Sequence, residues 1–310
     1  MHGIHHVTAI AGKPQRNLEF YTRTLGLRFV KKTVNFDDPG TYHFYFGDEA
    51  GRPGTILTFF PWEHAAPGHA GVGLAQTTAF RAPAASIGYW MHRFVEKGVA
   101  CEALAERFGE PVLAFTDSDG MGLALVGVAG AEAEPAWSGG EVPAEHAVRG
   151  FHGVTLMLDT AAPTGAILAG VLGFRDAGRE GGVVRYRAND GIGGVVDIRE
   201  VGGFLAGRMG RGTVHHVAFR AADDAEQAAM ARKLVESRAA DVTDQKDRQY
   251  FRSVYFFEPG GVLFEIATDA PGFTVDEPQA ALGTGLKLPP FLEPRRQELE
   301  AALPPLPGAA

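Results

Sequence analysis

The chain of 310 residues has a single cysteine, Cys101. One thiol excludes an intramolecular disulfide and any thiolate cluster, so a bound metal would have to use imidazole and carboxylate ligands. Cys101 itself is expected to be a small residue beside a strand. No run of about 18 apolar residues is available to span a bilayer. Polar residues and glycine interrupt the first dozen positions, where a signal peptide would need a charged and then an apolar segment. A cytoplasmic location is therefore the expectation. A basic stripe is also missing. The net charge of -8 is spread along the chain, which argues against nucleic acid or an anionic membrane as the main partner. With 45% hydrophobic residues, the chain can build two domains with a core in each.

The same coarse order occurs four times: a strand, a helix, then a group of strands. The first unit opens with GIHHVTAI and continues through PQRNLEFYTRTLG, where Leu18, Tyr21 and Leu25 keep helical spacing and Gly26 stops the helix. A second unit opens with LAQTTAFRA, carries a helix over SIGYWMHRFVEKG and closes through LALVGV, with Asp119 and Gly120 at a turn. The third begins with GFHGVTLML and closes through VVRYRAN and GGVVDIREV. The fourth runs from TVHHVAFRA to GGVLFEIAT, with Asp223 or Asp224 as the N-cap of its helix. The organisation expected is a pair of units over residues 1–128, a linker over 129–149 and a second pair over 150–275. A Pro-rich extension with one short helix follows over 276–310. Such units can close two curled sheets around cavities with their helices outside, an α+β fold.

Only units one and four offer metal-ligand side chains in matching places. At the second position of the histidine doublet the openings present His6, residues near Gln76, Gly153 and His216. In the closing strands, PGGVLFEI aligns with RPGTILTF, so Glu265 corresponds to Thr58, and units two and three show no Glu or Asp in clean register. The set His6, His216 and Glu265 remains. Two imidazoles and a carboxylate leave one face of an octahedron open, the arrangement of non-haem Fe(II) oxygenases. The same ligands suit Mn(II), or Zn(II) with water, and the residues alone do not choose. Because these ligands come from units one and four, those units must face each other, leaving two and three as a metal-free half. His43, His64, His69, His92 and His146 lack repeated context and are assigned to the surface or to ordinary polar contacts, while Tyr250 and Phe251 are expected in a strand or pocket wall.

The βαβββ repeat with its HHV openings and PGGVLFEI closing resembles the vicinal oxygen chelate superfamily of glyoxalases and extradiol dioxygenases. The segment DRQYFRSVYFFEPGGVLFEIATD, residues 247 to 269, resembles the hydroquinone-type ring-cleaving dioxygenases, which open para-dihydroxylated rings with Fe(II) and O2. The resemblance covers nearly the whole chain. It implies iron on His6, His216 and Glu265, and a surrounding set of His5, Thr8, His215, Arg248 and Tyr255. In that set Arg248 would hold an anionic substrate oxygen, while Tyr255 and a neutral histidine would pass protons. The function expected is ring cleavage of a hydroquinone or catechol, with a small aromatic substrate and O2 as partners and a homodimer as a further expectation. Two rivals stand beside it. A glyoxalase-like isomerase or lyase would need a second carboxylate where Thr58 stands. An aromatic-binding resistance protein would have no use for three ligands. His5 poses its own problem: strand alternation sends it to the outer face, whereas the resemblance places it near substrate, which requires a bulge or twist at the start of the strand.

Overall fold

The opening strands of units one and three are buried along their whole length, so the first histidine doublet stands in a strand with no solvent face. A computed structural model describes residues 2–306; Met1 and the last four residues of the C-terminal extension lie outside the described residues. Module one comprises β1 (Ile4–Ala11), α1 (Pro14–Glu19), β2 (Arg28–Asn35), β3 (Asp38–Gly47) and β4 (Ile56–Pro61). Module two has β5 (Leu74–Pro83), α2 (Ile87–Lys97), β6 (Ala105–Arg107), β7 (Glu110–Thr116) and β8 (Gly122–Val128). Module three has β9 (Phe151–Leu158), α3 (Ala162–Gly170), β10 (Arg175–Glu180), β11 (Val183–Arg187) and β12 (Val195–Glu200). Module four has β13 (Thr213–Ala221), α4 (Asp224–Glu236), β14 (Lys246–Asp247), β15 (Arg252–Phe257) and β16 (Leu263–Thr268). Gly98 ends α2, and Gly26 follows the π-helical turn Phe20–Thr24 that continues α1; both take left-handed backbone that a side chain would strain. Asp223 caps α4 by accepting from the Glu226 N–H.

These strands form two eight-stranded sheets, ordered β14-β15-β16-β13-β1-β4-β3-β2 and β10-β11-β12-β9-β5-β8-β7-β6. Module one is thus joined to module four and module two to module three, each through an antiparallel pair of opening strands. The β1–β13 pair contains two register shifts. Ile4 faces Phe219 and His6 faces Ala218, so His5 is an extra residue; Thr8 faces His216 and Ala9 faces Val214, so His215 is another. The first histidine of each doublet therefore sits in a β-bulge, the device that re-aims a side chain without breaking the strand.

Register also corrects one expectation. Thr8 faces Thr58, Ala218 faces Glu265 and Thr155 faces Asp197 in the three parallel pairs of modules one, four and three. Asp197 thus occupies in module three the place of Glu265, and the second half does carry a carboxylate in register. The residue beside it is Arg185, paired across to Asp197 as Tyr255 is to Glu265 and Tyr45 to Thr58.

The C-terminal extension packs against module one. Leu282, Leu288, Leu292 and Leu299 are buried, the last of them on α5 (Arg296–Ala302). The fully buried Lys31 ammonium donates to Asp276 at 2.6 Å, to Glu277 and to the Phe273 carbonyl at 3.2 Å. Among the described residues, no helix is long and apolar enough to cross a membrane.

Candidate metal centre and aromatic cavity

The bulged pair β1–β13 brings His6 and His216 together, and β16 brings in Glu265. One potential ligand atom from each of these three lies within 4.8 Å of the others, and all three residues are buried. The imidazole Nε2 atoms of His6 and His216 are 3.4 Å apart and point at the same carboxylate oxygen, Oε2 of Glu265, at 3.4 and 3.0 Å. Ser253 Oγ donates to the other oxygen, Oε1, whereas Oε2 is buried without a hydrogen bond. An orphaned carboxylate oxygen at full burial is costly unless a cation meets it. Two imidazole nitrogens converging on the same point make a divalent metal the group that fits. Burial opposes the charge of Glu265, but the imidazoles, His6 first, hold its carboxyl well below the usual range. Burial pushes His216 down despite Glu265, which favours the neutral, metal-binding form of the ring.

Each bulged histidine turns its ring onto its neighbour. His5 Nδ1 lies 2.9 Å from His6 Nδ1, and His215 Nδ1 lies 2.8 Å from His216 Nδ1. Both ring pairs meet edge to face with centroids 5.1 Å apart. With Nε2 of the second histidine facing the carboxylate, its Nδ1–H donates to the first, which fixes tautomer and orientation. The repeated doublet is therefore a division of labour, one imidazole aimed at the centre and one behind it. His215 also lines the cavity; His5 instead packs against His6 and Phe251. Burial, followed by the neighbouring His216, drives the His215 pKa down to about 3.

The centre forms the floor of a cavity of about 310 Å³, near the small end of the ~300–1,000 Å³ range of ligand pockets and suited to a single ring. Its walls include Phe36, Phe60, Trp62, Phe251 and Leu263, and the Phe60 and Trp62 rings stack 5.6 Å apart. Tyr255 reaches the cavity beside His216, with ring centroids 5.8 Å apart. Arg248 Nε donates to the Tyr255 hydroxyl at 3.2 Å, and its Nη2 to Asp37 at 2.9 Å. Burial, then the charge of Glu265, raises the Tyr255 pKa, so the phenol keeps its proton. Tyr250 is core rather than pocket wall and donates to Asp276 at 3.0 Å.

Three residues passed over in the sequence belong to this site. Ser253 holds Glu265. Asp37 lines the mouth. His43, expected at the surface or in ordinary contacts, lines the cavity: its Nε2 is 2.8 Å from Thr58 Oγ1 and its Nδ1 accepts from, or donates to, Tyr45 at 2.9 Å. Thr58 is in turn 2.8 Å from Thr8, so Thr8 closes a chain of hydroxyls and imidazole along the wall. Burial, then the nearby His6, holds His43 well below the ordinary imidazole value and so neutral. No spacing signal could have found it, because β3 has no second histidine in a repeated place. His64, His69 and His92 are exposed, and His146 stacks on Tyr89.

Residues 3–125 match the Glyoxalase/Bleomycin resistance protein/Dioxygenase superfamily. MhqO of Bacillus subtilis, which carries a provisional name as a ring-cleaving dioxygenase, is 46% identical, the alignment covering 98% of this chain and 96% of that protein. The chlorohydroquinone/hydroquinone 1,2-dioxygenase of Sphingobium indicum is 36% identical over 96% of this chain and 94% of its own. A Bacillus subtilis crystal structure, again provisionally named a dioxygenase, superposes with a TM-score of 0.93 at 46% identity, covering 98% and 97% of the two chains. Glyoxalase I from Zea mays, at 12% identity and a TM-score of 0.65 over 87% of this chain and 93% of that one, shares the fold. The paired βαβββ modules and the relatives along the full chain place this protein in the glyoxalase, bleomycin resistance protein and dioxygenase superfamily, among sequences named as ring-cleaving dioxygenases.

Proposed function

We propose that the protein is an Fe(II)-dependent, extradiol-type dioxygenase that opens a hydroquinone or catechol ring, placing both atoms of O2 in the product. One observation carries the reading: a buried group of two histidines and one glutamate, with an orphaned carboxylate oxygen, at the floor of an aromatic cavity of single-ring size. Bound iron would supply open coordination positions and the redox capacity to let a ring react with O2. His6, His216 and Glu265 would hold it.

The remaining work falls to this chain's own side chains. Phe60, Trp62 and Phe251 exclude water and orient the ring. The neutral His43 can accept the proton that a ring hydroxyl must lose, and the protonated Tyr255 can return one. Arg248, fixed against Tyr255, stabilises anionic oxygen as it develops. A glyoxalase-type isomerase would want a second carboxylate in module one, but Thr58 stands there, tied to Thr8 and His43. Metal analysis of wild type beside His6→Ala, with O2 uptake on a panel of hydroquinones and catechols, tests the reading. Wild type should retain iron and consume O2, and the variant should lose both; an iron-loaded wild type that consumes none with any ring sinks it.

A further inference from the structure

A line of contacts runs from the proposed metal centre to the cavity mouth: the His216 ring edge to face with Tyr255, Tyr255 hydrogen-bonded to Arg248, Arg248 paired with Asp37. Asp37 comes from the two-residue turn between β2 and β3, at the other end of the first sheet from β14 and β15, which flank Arg248. The turn is built to present it, since the Asp37 N–H donates to the Asn35 side chain at 3.0 Å. The aspartate is 63% exposed and the arginine only 18%, so the pair lies across the opening with its cation inward. Lys246 is a second cation of the lining, and it too is close enough to Asp37 to stabilise its charge. Apart from Glu265, Asp37 is the carboxylate of the cavity lining among the described residues. A ring substituent that points toward the mouth meets Arg248, whose charge is already shared with Asp37.

We propose that Asp37 is a specificity-determining residue: by neutralising Arg248 at the mouth, it tunes the cavity for dihydroxylated rings with uncharged substituents and against rings bearing a carboxylate. This rests on the dioxygenase reading above. A carboxylated ring facing Arg248 would have to displace Asp37 from it or leave its own charge beside that of Asp37, which Arg248 and Lys246 already hold, and like charges a few ångströms apart repel even when partly screened. An uncharged substituent such as methyl meets Phe36, Phe60 and Trp62 without that cost.

The test compares 2-methylhydroquinone with 2,5-dihydroxybenzoate on wild type, Asp37→Asn and Asp37→Ala. Two readouts serve: anaerobic binding titrations of the Fe(II)-loaded protein, and kcat/KM from O2 uptake. Removing the charge should raise the preference for the carboxylated ring over the methylated one by about tenfold in both variants, the scale of one partly screened charge pair. An unchanged preference in either variant overturns the role of Asp37. Absence of O2 uptake with every ring counts against the dioxygenase reading instead, and the binding ratio still decides the question of Asp37.

Discussion

A histidine doublet in a strand makes physical sense once the bulge is counted. In regular pleating His5 and His215 would face away from their neighbours; as extra residues in β1 and β13 they swing round until Nδ1 meets Nδ1. Their contribution should then appear in metal affinity rather than in ligand count. His5→Phe and His215→Phe should each weaken Fe(II) binding about 10- to 100-fold, whereas His216→Ala should abolish it. Chelator competition measures this, and Phe variants that hold metal as tightly as wild type would refute the orienting role. Ser253 serves the carboxylate as the bulged histidines serve the rings. Ser253→Ala should leave Glu265 less well oriented and lower affinity in the same assay.

At the scale of elements, the C-terminal extension and module one are joined by a charge cluster around a fully buried lysine. Lys31 is completely buried on β2 and binds Asp276 and Glu277, while Tyr250 donates to Asp276 from the segment between β14 and β15. Breaking a buried ion pair leaves its partners uncompensated, so Lys31→Met should cost roughly 3–5 kcal/mol. Tyr250→Phe, which removes one hydrogen bond to a carboxylate, should cost about 1.5–3 kcal/mol. Urea denaturation monitored by circular dichroism ranks the two, and a Lys31→Met protein as stable as wild type would show that the cluster does not hold the extension. Phe273, just before this extension, packs on both Tyr250 and Tyr45, so the junction also backs the cavity wall that carries His43.

At the scale of the whole molecule, the two sheets are variants of one plan in which different cations take the centre. In the second sheet Arg185 donates to both oxygens of Asp197 at 2.8 and 2.9 Å and to Glu110 at 2.7 Å. Its guanidinium lies 4.0 Å over Phe108. Gly153 replaces His6 there, and a Cβ at that position would lie 2.2 Å from the Val195 carbonyl oxygen, so no ligand side chain fits. A guanidinium thus stands beside the in-register carboxylate, and the protein should bind one metal ion per chain, unchanged by Asp197→Asn; two equivalents in wild type would contradict this. Burial works against the charge of Glu110, but His152 and then Arg185 outweigh it and bring its pKa to about 2. A carboxyl depressed on folding adds stability above its unfolded value near 4.5 and loses it as pH falls toward 2. Glu110→Gln should therefore cost up to about 3 kcal/mol near neutrality, with the gap to wild type closing in acid, as read by denaturation at several pH values.

The sequence by itself determined the four modules, the stop at Gly26, a cap at Asp223 or Asp224 and the three residues that meet at the proposed centre. Each of these is written in local periodicity, in turn chemistry or in a motif repeated at matching places, so no long-range geometry was needed to read it. Pairing of module one with module four was legible for the same reason, since scattered ligands can serve one ion only if their strands adjoin. Tertiary structure alone decided the rest. His43 and Asp37 reach the cavity because a hairpin folds over it, and hairpin curvature leaves no mark in residue spacing. Asp197 came into register through parallel pairing with β9, which depends on turn lengths that differ between modules. The resemblance called for a bulge or twist at His5, but the placing of both bulges is a mismatch between two strands about 210 residues apart, and neither strand carries that mismatch alone.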